Sequence, residues 1–303
     1  MDELRFDGRV AVVTGAGRGI GRAYARLLAD RGASVVVNDL GGSIKGEGTD
    51  AGPASTVVDE IVAAGGVAVA DTHDVATVEG GQALIDTATG AFGRIDVVVN
   101  NAGIVRWVEF PDPDAANLER HLAVHVGGSF STTRAAWPHF VEQGYGRVVM
   151  TTSSGMFGLP RNHAYATAKA AVIGLTRSLN TVAAAHGIKV NVIAPAAMTR
   201  MAGPGADEDD PTMSPDLVAP MVAYLAHEDC PVSGEIYTAG AGRFARLFVA
   251  STEGWVGDEG PPTVEDVAAH WADINDESGY FLPADLVDWS NHFLAHLEPP
   301  DAG

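Results

Sequence analysis

The sequence predicts an α/β fold: a doubly wound, mostly parallel sheet of seven strands flanked by helices, with a helical extension at the C-terminus. Short runs of β-branched apolar residues alternate with helical stretches along the 303-residue chain. Several runs, such as the valines before Asn38 and before Asn100, are apolar without interruption, which is typical of strands covered on both faces. With 46% hydrophobic and 19% charged residues, the chain can bury a core of that size.

The strands and helices follow from these patterns in order. The seven predicted strands are Val10–Thr14, Ser34–Asp39, Val67–Asp71, Val97–Asn100, Val148–Thr152, Lys189–Ala194 and Glu235–Thr238. Helical periodicity lies between them near residues 19–31, 54–64, 77–91, 114–142, 163–186 and 215–227. The alternation stops after residue 242. We therefore expect one domain over residues 1–242 and an extension over 243–303, with two helices near 263–275 and 283–297, that acts as a cap or a subunit contact.

The composition excludes several classes of function. The chain has 39 acidic and 19 basic residues and a net charge of −20, so it lacks the basic face of a nucleic-acid-binding protein. A single cysteine, Cys230, supports neither a disulfide framework nor a cysteine-based metal cluster, and we predict no metal. Since no apolar run is long enough to cross a membrane and the N-terminus has no apolar signal region, we expect a cytoplasmic protein without a membrane partner.

A glycine-rich turn follows the first predicted strand. Thr14–Gly21 reads TGAGRGIG, and its glycines allow a tight turn and a close approach of the backbone to a ligand. The helix that begins there directs free N–H groups and the positive end of its dipole towards the turn, which favours a pyrophosphate. The cofactor-binding candidates in this turn are Gly15, Arg18, Gly19 and Ile20.

An acidic residue ends the second predicted strand. Asp39 lies 18 residues beyond Gly21, a spacing at which a carboxylate accepts hydrogen bonds from adenosine ribose hydroxyls and repels a 2′-phosphate. No basic residue adjoins Asp39, so NAD is the expected cofactor rather than NADP. Asp74 and Val75, which follow the third strand, are candidates for holding the adenine ring.

Tyr165 and Lys169 form the candidate catalytic pair. They stand four residues apart in an alanine-rich helical segment, which places both side chains on one helix face. A free tyrosine hydroxyl, with a pKa near ~10, is a weak base at neutral pH, and an adjacent ammonium should lower that pKa. Lys169 is also one of only three lysines in the chain. Ser153 follows the fifth strand and is placed to hold a substrate oxygen beside the tyrosine, with Ser154 as the alternative.

Taken in order, these motifs resemble the short-chain dehydrogenase/reductase superfamily over about Phe6–Gly242. The matching stretches are Thr14–Gly21, Asn100–Gly103 (NNAG), the serine region at 153, Tyr165-x-x-x-Lys169 and Asn191-x-x-x-Pro195. The resemblance implies a Rossmann-like fold, a homodimer or homotetramer, and cofactor contacts from Tyr165 and Lys169 and from Asn101, Ala102, Gly103, Pro195 and Thr199. Members usually carry an asparagine that supports a proton relay where this chain has His125, so His125 joins Ser153, Tyr165 and Lys169 as a catalytic candidate. A buried histidine with a packing role is the alternative.

Three further stretches resemble the dehydrogenase part of the peroxisomal multifunctional enzymes of type 2. They are Val37–Gly42, Gly93–Ile104 and Val124–Phe130. This narrower resemblance implies NAD-dependent interconversion of a secondary alcohol and a ketone, with a 3-hydroxyacyl-CoA as the substrate. Hydroxysteroids and other small alcohols are alternative substrates. A nucleotide-sensing protein without catalysis is a further alternative, which the presence of both Tyr165 and Lys169 disfavours.

Overall fold

A computed structural model of the protein describes residues 3–158, 160–202, 210–257 and 260–297. The chain forms two compact units, residues 1–246 and residues 247–303. The described residues contain eight strands: β1 (Val10–Thr14), β2 (Ser34–Asn38), β3 (Val67–Asp71), β4 (Val97–Asn100), β5 (Gly146–Thr151), β6 (Ile188–Pro195), β7 (Ile236–Gly240) and β8 (Arg243–Leu247).

The strands form one sheet in the order β3-β2-β1-β4-β5-β6-β7-β8. All pairs from β3 to β7 are parallel, and β1 pairs with both β2 and β4. The direction of winding therefore reverses between β1 and β4. In an open parallel sheet, ligands bind at the carboxyl ends of the strands beside this reversal.

The valine runs lie at the centre of this sheet. Val12 and Val13 of β1 are both fully buried, as are Val36 and Val37 of β2. Because successive side chains of a strand point to opposite faces, both faces of the sheet must be covered at this point. Uninterrupted apolar runs thus correspond to central parallel strands, and the α/β class predicted from them is confirmed.

The prediction of seven strands is one short. The additional strand, β8, lies in the segment that the sequence analysis assigned to the helical extension. Ala241 and Gly242 join it to β7, and both have positive φ, 49° and 74°, which is the geometry of a two-residue hairpin. An alanine in left-handed backbone is uncommon, so the sequence carried no clear turn signal there.

Seven helices of the first unit, among the described residues, flank the sheet. They are α1 (Gly19–Asp30), α2 (Gly52–Ala63), α3 (Val78–Phe92), α4 (Ala115–Leu122), α5 (Gly128–Gln143), α6 (His163–Ala183) and α7 (Ala219–Ala226). The sequence predicted one helix over 114–142, but a π-helical turn, Ala123–Gly127, separates α4 from α5. Such turns occur often at functional sites, because they re-aim a side chain without ending the helix. Within the described ranges, every helix is too short or too polar to cross a lipid bilayer.

The second unit contains α8 (Val264–Ala269), α9 (Trp271–Ile274) and α10 (Leu286–Leu294). An antiparallel bridge joins Ser251 to Phe281. The ring of Trp255 stacks on that of His270, with the ring centroids 4.3 Å apart. None of the described residues of this unit is fully buried. Its role as a cap or a subunit contact remains a prediction.

Candidate active site

A cleft of about 970 Å³, measured to its open mouth, lies at the carboxyl ends of the strands on both sides of the winding reversal. Its walls come from the turns that follow β1, β2, β3, β4 and β6. The predicted cofactor residues that line it are Gly15, Arg18, Gly19, Ile20, Asp39, Asp74, Val75, Asn101, Ala102, Gly103 and Thr199. Pro195, Tyr165 and Lys169 lie outside this lining.

Glycine lets the turn between β1 and α1 approach a ligand closely. Gly15 has a φ of +63°, and a Cβ there would lie 2.9 Å from the Cα atom of Ala102. Gly19 has a φ of +52°, and among the described residues a Cβ there would meet the side chain of Thr199, at 3.4 Å. Arg18 precedes α1 and makes no side-chain cap within the described structure, so the first N–H groups of α1 stay available to an anion. This cradle fits the pyrophosphate of a dinucleotide.

Asp39 forms one wall of the cleft and is 8% exposed. Its Oδ2 atom accepts a hydrogen bond from the N–H of Gly17 at 2.9 Å, and its Oδ1 atom accepts one from Gly41 at 2.7 Å. These bonds hold the carboxylate in place, while its remaining lone pairs can accept from two hydroxyl groups. The arrangement fits the adenosine ribose of a dinucleotide.

Asn101 joins the turns after β1 and β4. Its Nδ2 atom donates to the carbonyl oxygens of Thr14 and Gly15 at 3.0 and 3.1 Å. The Thr14 hydroxyl in turn accepts hydrogen bonds from the N–H groups of Asn101 and Ala102, both at 2.9 Å. The Asn101 side chain therefore holds two walls of the cleft together.

The predicted catalytic residues meet where α6 packs on the end of β5. Lys169 is 3% exposed, and its Nζ atom donates to the carbonyl oxygen of Thr151 at 2.8 Å. The Thr152 hydroxyl donates to the carbonyl oxygen of Lys169 at 2.7 Å. Nζ lies 5.6 Å from the ring centroid of Tyr165. The end of β5 thus fixes Lys169, with Tyr165 beside it on α6.

Ser153 completes this cluster. Its Oγ atom accepts a hydrogen bond from the N–H of Gly155 at 3.1 Å, and its hydroxyl interacts with that of Tyr165. A Cβ on Gly155 would lie 3.3 Å from the Tyr165 ring and 3.4 Å from Ser153 Oγ, so the two side chains share one small space. Ser154 is exposed. The geometry therefore favours Ser153 as the partner of the tyrosine.

Burial shifts the pKa values of the pair in opposite directions. It raises the pKa of Tyr165, and the interaction with Ser153 only partly opposes this effect. It lowers the pKa of Lys169 to about 7. The sequence predicts that the ammonium lowers the pKa of the tyrosine, but that pKa is raised, because removal from water disfavours the charged form of both groups.

His125 lies in the π-helical turn beside Tyr165. It is 1% exposed, and its ring meets that of Tyr165 edge to face, with the centroids 5.3 Å apart. Its Nε2 atom lies 2.9 Å from the Ile104 carbonyl oxygen and 3.3 Å from the Ile104 nitrogen, so we assign the proton to Nε2. Burial holds the pKa of His125 well below its usual value, so the ring is neutral. Nδ1 is then an acceptor, and it has no partner in the described part of the chain.

Gly103 connects the cleft to this cluster. A Cβ at position 103 would lie 2.6 Å from His125 Cε1 and 3.1 Å from Nδ1. The imidazole therefore packs directly on the backbone that lines the cleft. Through His125, the Tyr165 ring adjoins the Gly103 end of the cleft.

Gly103→Ala is expected to lower the free energy of unfolding by about 1–3 kcal/mol, because the buried imidazole must move to admit a methyl group. Urea unfolding measures this loss. His125→Asn shortens the side chain that the new methyl group would meet, so the double variant should lose less stability than the two single losses added together. Additive losses would contradict the direct contact between the two residues.

Several cleft residues were missed by the sequence analysis. They are Asn38, Leu40, Gly42, Ser43, Gly46, His73, Ile104, Arg120, Val124 and Met201. No spacing rule marks the side chains among them, because tertiary packing brings them in from separate loops and from α4. Within the described ranges, no group of three or more His, Cys, Asp or Glu side chains is arranged to hold a metal ion.

Known proteins share this sequence pattern. Residues 9–209 match the sequence model of the short chain dehydrogenase family. A Mycobacterium tuberculosis protein named as a short-chain type dehydrogenase/reductase is 46% identical over 276 residues, which cover 89% of this chain and 95% of that protein. The peroxisomal multifunctional enzyme type 2 of Mus musculus is 42% identical over 303 residues, which cover 99% of this chain and 41% of the enzyme.

Solved structures share the fold. Full-length peroxisomal multifunctional enzyme type 2 from Drosophila melanogaster aligns with a TM-score of 0.81 at 36% identity, over 97% of this chain and 50% of the enzyme. A 7α-hydroxysteroid dehydrogenase complexed with NADH and 7-oxo glycochenodeoxycholic acid aligns with a TM-score of 0.69 at 31% identity, over 80% of this chain and 98% of that protein. The chain spans about half or less of the length of these two type 2 enzymes.

Proposed function

The chain belongs to the short-chain dehydrogenase family, and on that premise we propose that it oxidises a 3-hydroxyacyl-CoA to the 3-ketoacyl-CoA with NAD. Family membership makes it an oxidoreductase that acts on CH–OH groups with a nicotinamide nucleotide. The observation that carries the reaction is the cluster of Ser153, Tyr165 and Lys169 beside the cleft. Relatives named peroxisomal multifunctional enzyme type 2 and peroxisomal hydratase-dehydrogenase-epimerase, which match 98% or more of the chain, support the thioester substrate.

The cleft offers a place for each part of the cofactor. The turn at Gly15–Ile20 would hold the pyrophosphate, Asp39 the adenosine ribose, and Asp74 and Val75 the adenine. Gly103 and Thr199 would flank the nicotinamide end, next to the catalytic cluster. When bound, the nicotinamide ring supplies the acceptor for a hydride.

The protein's own groups handle the proton of the substrate hydroxyl. Tyr165 Oη takes that proton while the carbinol carbon loses its hydride, so the C–H and O–H bonds break and a C=O bond forms. Ser153 Oγ accepts from the Gly155 N–H, and its hydroxyl interacts with that of Tyr165; with substrate bound, the Ser153 hydroxyl would donate to the substrate oxygen instead. Since burial raises the pKa of Tyr165, a more alkaline medium favours the phenolate that oxidation requires.

His125 and Lys169 position the phenol. The neutral imidazole supports one edge of the Tyr165 ring, and its Nε2–H is held by the Ile104 carbonyl. Lys169 stabilises the phenolate when it is charged, and its Nζ atom is held by Thr151. These two buried side chains therefore act on the reaction through Tyr165.

Asp39→Asn is expected to shift the ratio of kcat/KM for NADP to that for NAD by about 100-fold towards NADP. The variant keeps the side-chain shape but removes the charge that would repel a 2′-phosphate. Arg18 lines the same cleft and can then pair with that phosphate, so adding Arg18→Gln should reverse part of the shift. Steady-state kinetics with each cofactor measure the ratio. An unchanged ratio would show that the adenosine ribose does not lie at Asp39.

The substrate is tested by a steady-state screen with NAD. We expect the highest kcat/KM with a 3-hydroxyacyl-CoA, compared with free hydroxysteroids and steroid thioesters of CoA, and each enantiomer is assayed separately. The second candidate function is a hydroxysteroid dehydrogenase, which the alignment with the 7α-hydroxysteroid enzyme favours. Turnover of free steroids without turnover of acyl-CoA would replace our proposal with that candidate.

We propose a homodimer or homotetramer as the working assembly. Phe130 of α5 and Val182 of α6 are about half-exposed, 48% and 54%, on helices that also carry buried core residues. Apolar surface of this kind favours burial against another subunit. The native mass in solution distinguishes the two assemblies from a monomer. The cytoplasmic location stays a prediction, and the multifunctional relatives are named peroxisomal.

A further inference from the structure

The loop between β2 and α2 forms part of the cleft wall. We name residues Gly41–Asp50 the strap. Gly42, Ser43 and Gly46 of the strap line the cleft. Within the strap, the Ser43 N–H donates to the Glu47 carbonyl oxygen at 2.8 Å, and at its base the Asp50 N–H donates to the carbonyl oxygen of Leu40, the residue before the strap, at 3.0 Å. The strap is therefore a closed loop with its own hydrogen bonds.

Two hydrogen bonds tie the strap to opposite sides of the cleft. On the side of the glycine-rich turn, an Arg18 N–H donates to the Gly42 carbonyl oxygen at 3.4 Å. On the side of the turn after β4, the Val105 N–H donates to the Ile44 carbonyl oxygen at 2.8 Å. Because its two anchors follow β1 and β4, the strap crosses the place where the dinucleotide would lie.

Two more arginines strengthen the tie on the β4 side. Arg120 of α4, which also lines the cleft, donates to the Gly46 carbonyl oxygen at 3.3 Å. Arg106 forms an ion pair with Glu47, with an N–O distance of 3.2 Å. The Arg106 and Glu47 side chains are 40% and 64% exposed, so water competes for both charges and the pair holds only weakly.

The backbone of the strap allows a hinge. Gly41, Gly46 and Gly48 have φ values of +79°, +78° and +79°, in the region that other residues rarely adopt. A Cβ on Gly46 would lie 3.0 Å from Ile104 Cγ2, so the strap rests directly on the residue that follows Gly103 in the cleft. Its closed position thus depends on glycine and on a few side-chain ties.

We propose that the strap is the gate for cofactor exchange: it closes over the bound dinucleotide and must release Val105, Arg106 and Arg120 before the dinucleotide leaves. The gate rests on the proposed binding of a dinucleotide in the cleft and is independent of the substrate. Breaking the exposed ion pair between Glu47 and Arg106 should speed release of the dinucleotide, because opening the strap then requires less free energy. Of the four contacts described above, the ion pair of Glu47 with Arg106 is the one between two side chains, so substitution can remove it and then restore it.

The rate of NADH dissociation tests the gate, measured by stopped-flow fluorescence with excess NAD as the displacing ligand. Glu47→Arg and Arg106→Glu should each raise this rate by about two- to fivefold. The exchanged pair Glu47→Arg with Arg106→Glu should return it towards the wild-type value. The matched control is Glu228→Arg, which breaks a partly exposed ion pair with Arg9 before β1, at the amino ends of the strands and away from the cleft, and should leave the rate unchanged.

Hydrogen exchange of the wild-type protein supplies a second measurement that needs no variant. NADH should slow amide exchange across residues 41–50 and 104–106 together. Unchanged dissociation rates in both single variants would overturn the gate, as would a failure of the exchanged pair to restore the rate, or strap amides that NADH leaves unaffected. A protein that binds no NADH would instead refute the proposed nucleotide site.

Discussion

Replacing Tyr165 with phenylalanine is expected to lower kcat about 1,000-fold, because the variant keeps the ring but loses the group placed to take the substrate proton. The ring packs against His125, so its position should survive. Steady-state oxidation of a 3-hydroxyacyl-CoA measures kcat, and NADH fluorescence titration measures cofactor affinity. We expect the Kd for NADH to change less than about threefold, since the phenol is assigned to proton transfer.

Tyr24→Phe is the matched control for the loss of a phenolic hydroxyl. Tyr24 is a buried residue of α1, and its hydroxyl has no hydrogen-bond partner in the described part of the chain. Its removal should leave kcat unchanged and the stability unchanged or slightly higher. If Tyr165→Phe kept more than a tenth of the wild-type turnover, Tyr165 would not be the proton acceptor.

Replacing Lys169 with methionine is expected to stop turnover and, at the same time, to change how stability depends on pH. Burial lowers the pKa of Lys169 to about 7 from the 10.5 of an exposed lysine. Between these two values the unfolded chain binds more protons than the folded protein, so the stability of the wild type rises with pH. Between pH 6 and pH 9 its free energy of unfolding should rise by roughly 2–3 kcal/mol more than that of the variant.

Urea unfolding of both proteins across this pH range measures the difference, and all other titrating groups cancel in the comparison. The free energy of unfolding of the variant, relative to that of the wild type, should be larger at pH 6 than at pH 9, because the substitution removes a charge that is buried at pH 6. Lys169→Arg should instead lower the stability at pH 6, since a guanidinium stays charged and its wider fork does not fit the site of Nζ. Parallel stability curves for wild type and Lys169→Met would show that Lys169 keeps an ordinary pKa when buried.

The sequence determined the parts of this protein that depend on local pattern. The apolar runs at β1, β2 and β4 predicted strands buried on two faces, and the glycines of Thr14–Gly21 marked the turn that lines the cleft. A four-residue spacing placed Tyr165 and Lys169 on one face of α6. Each of these inferences rests on periodicity or on backbone conformation, and both are determined by residues that are close together in the sequence.

Only the tertiary structure decided how these parts face one another. The π-helical turn that aims His125 at Tyr165, and the absence of a side chain at Gly103 that makes room for it, belong to segments more than 20 residues apart in the chain. Whether burial or the nearby ammonium governs the pKa of Tyr165 depends on how far water is excluded, which no spacing encodes. The strap stands at the cleft wall because arginines from three separate elements reach its carbonyl and carboxylate oxygens, and no local pattern predicts these contacts.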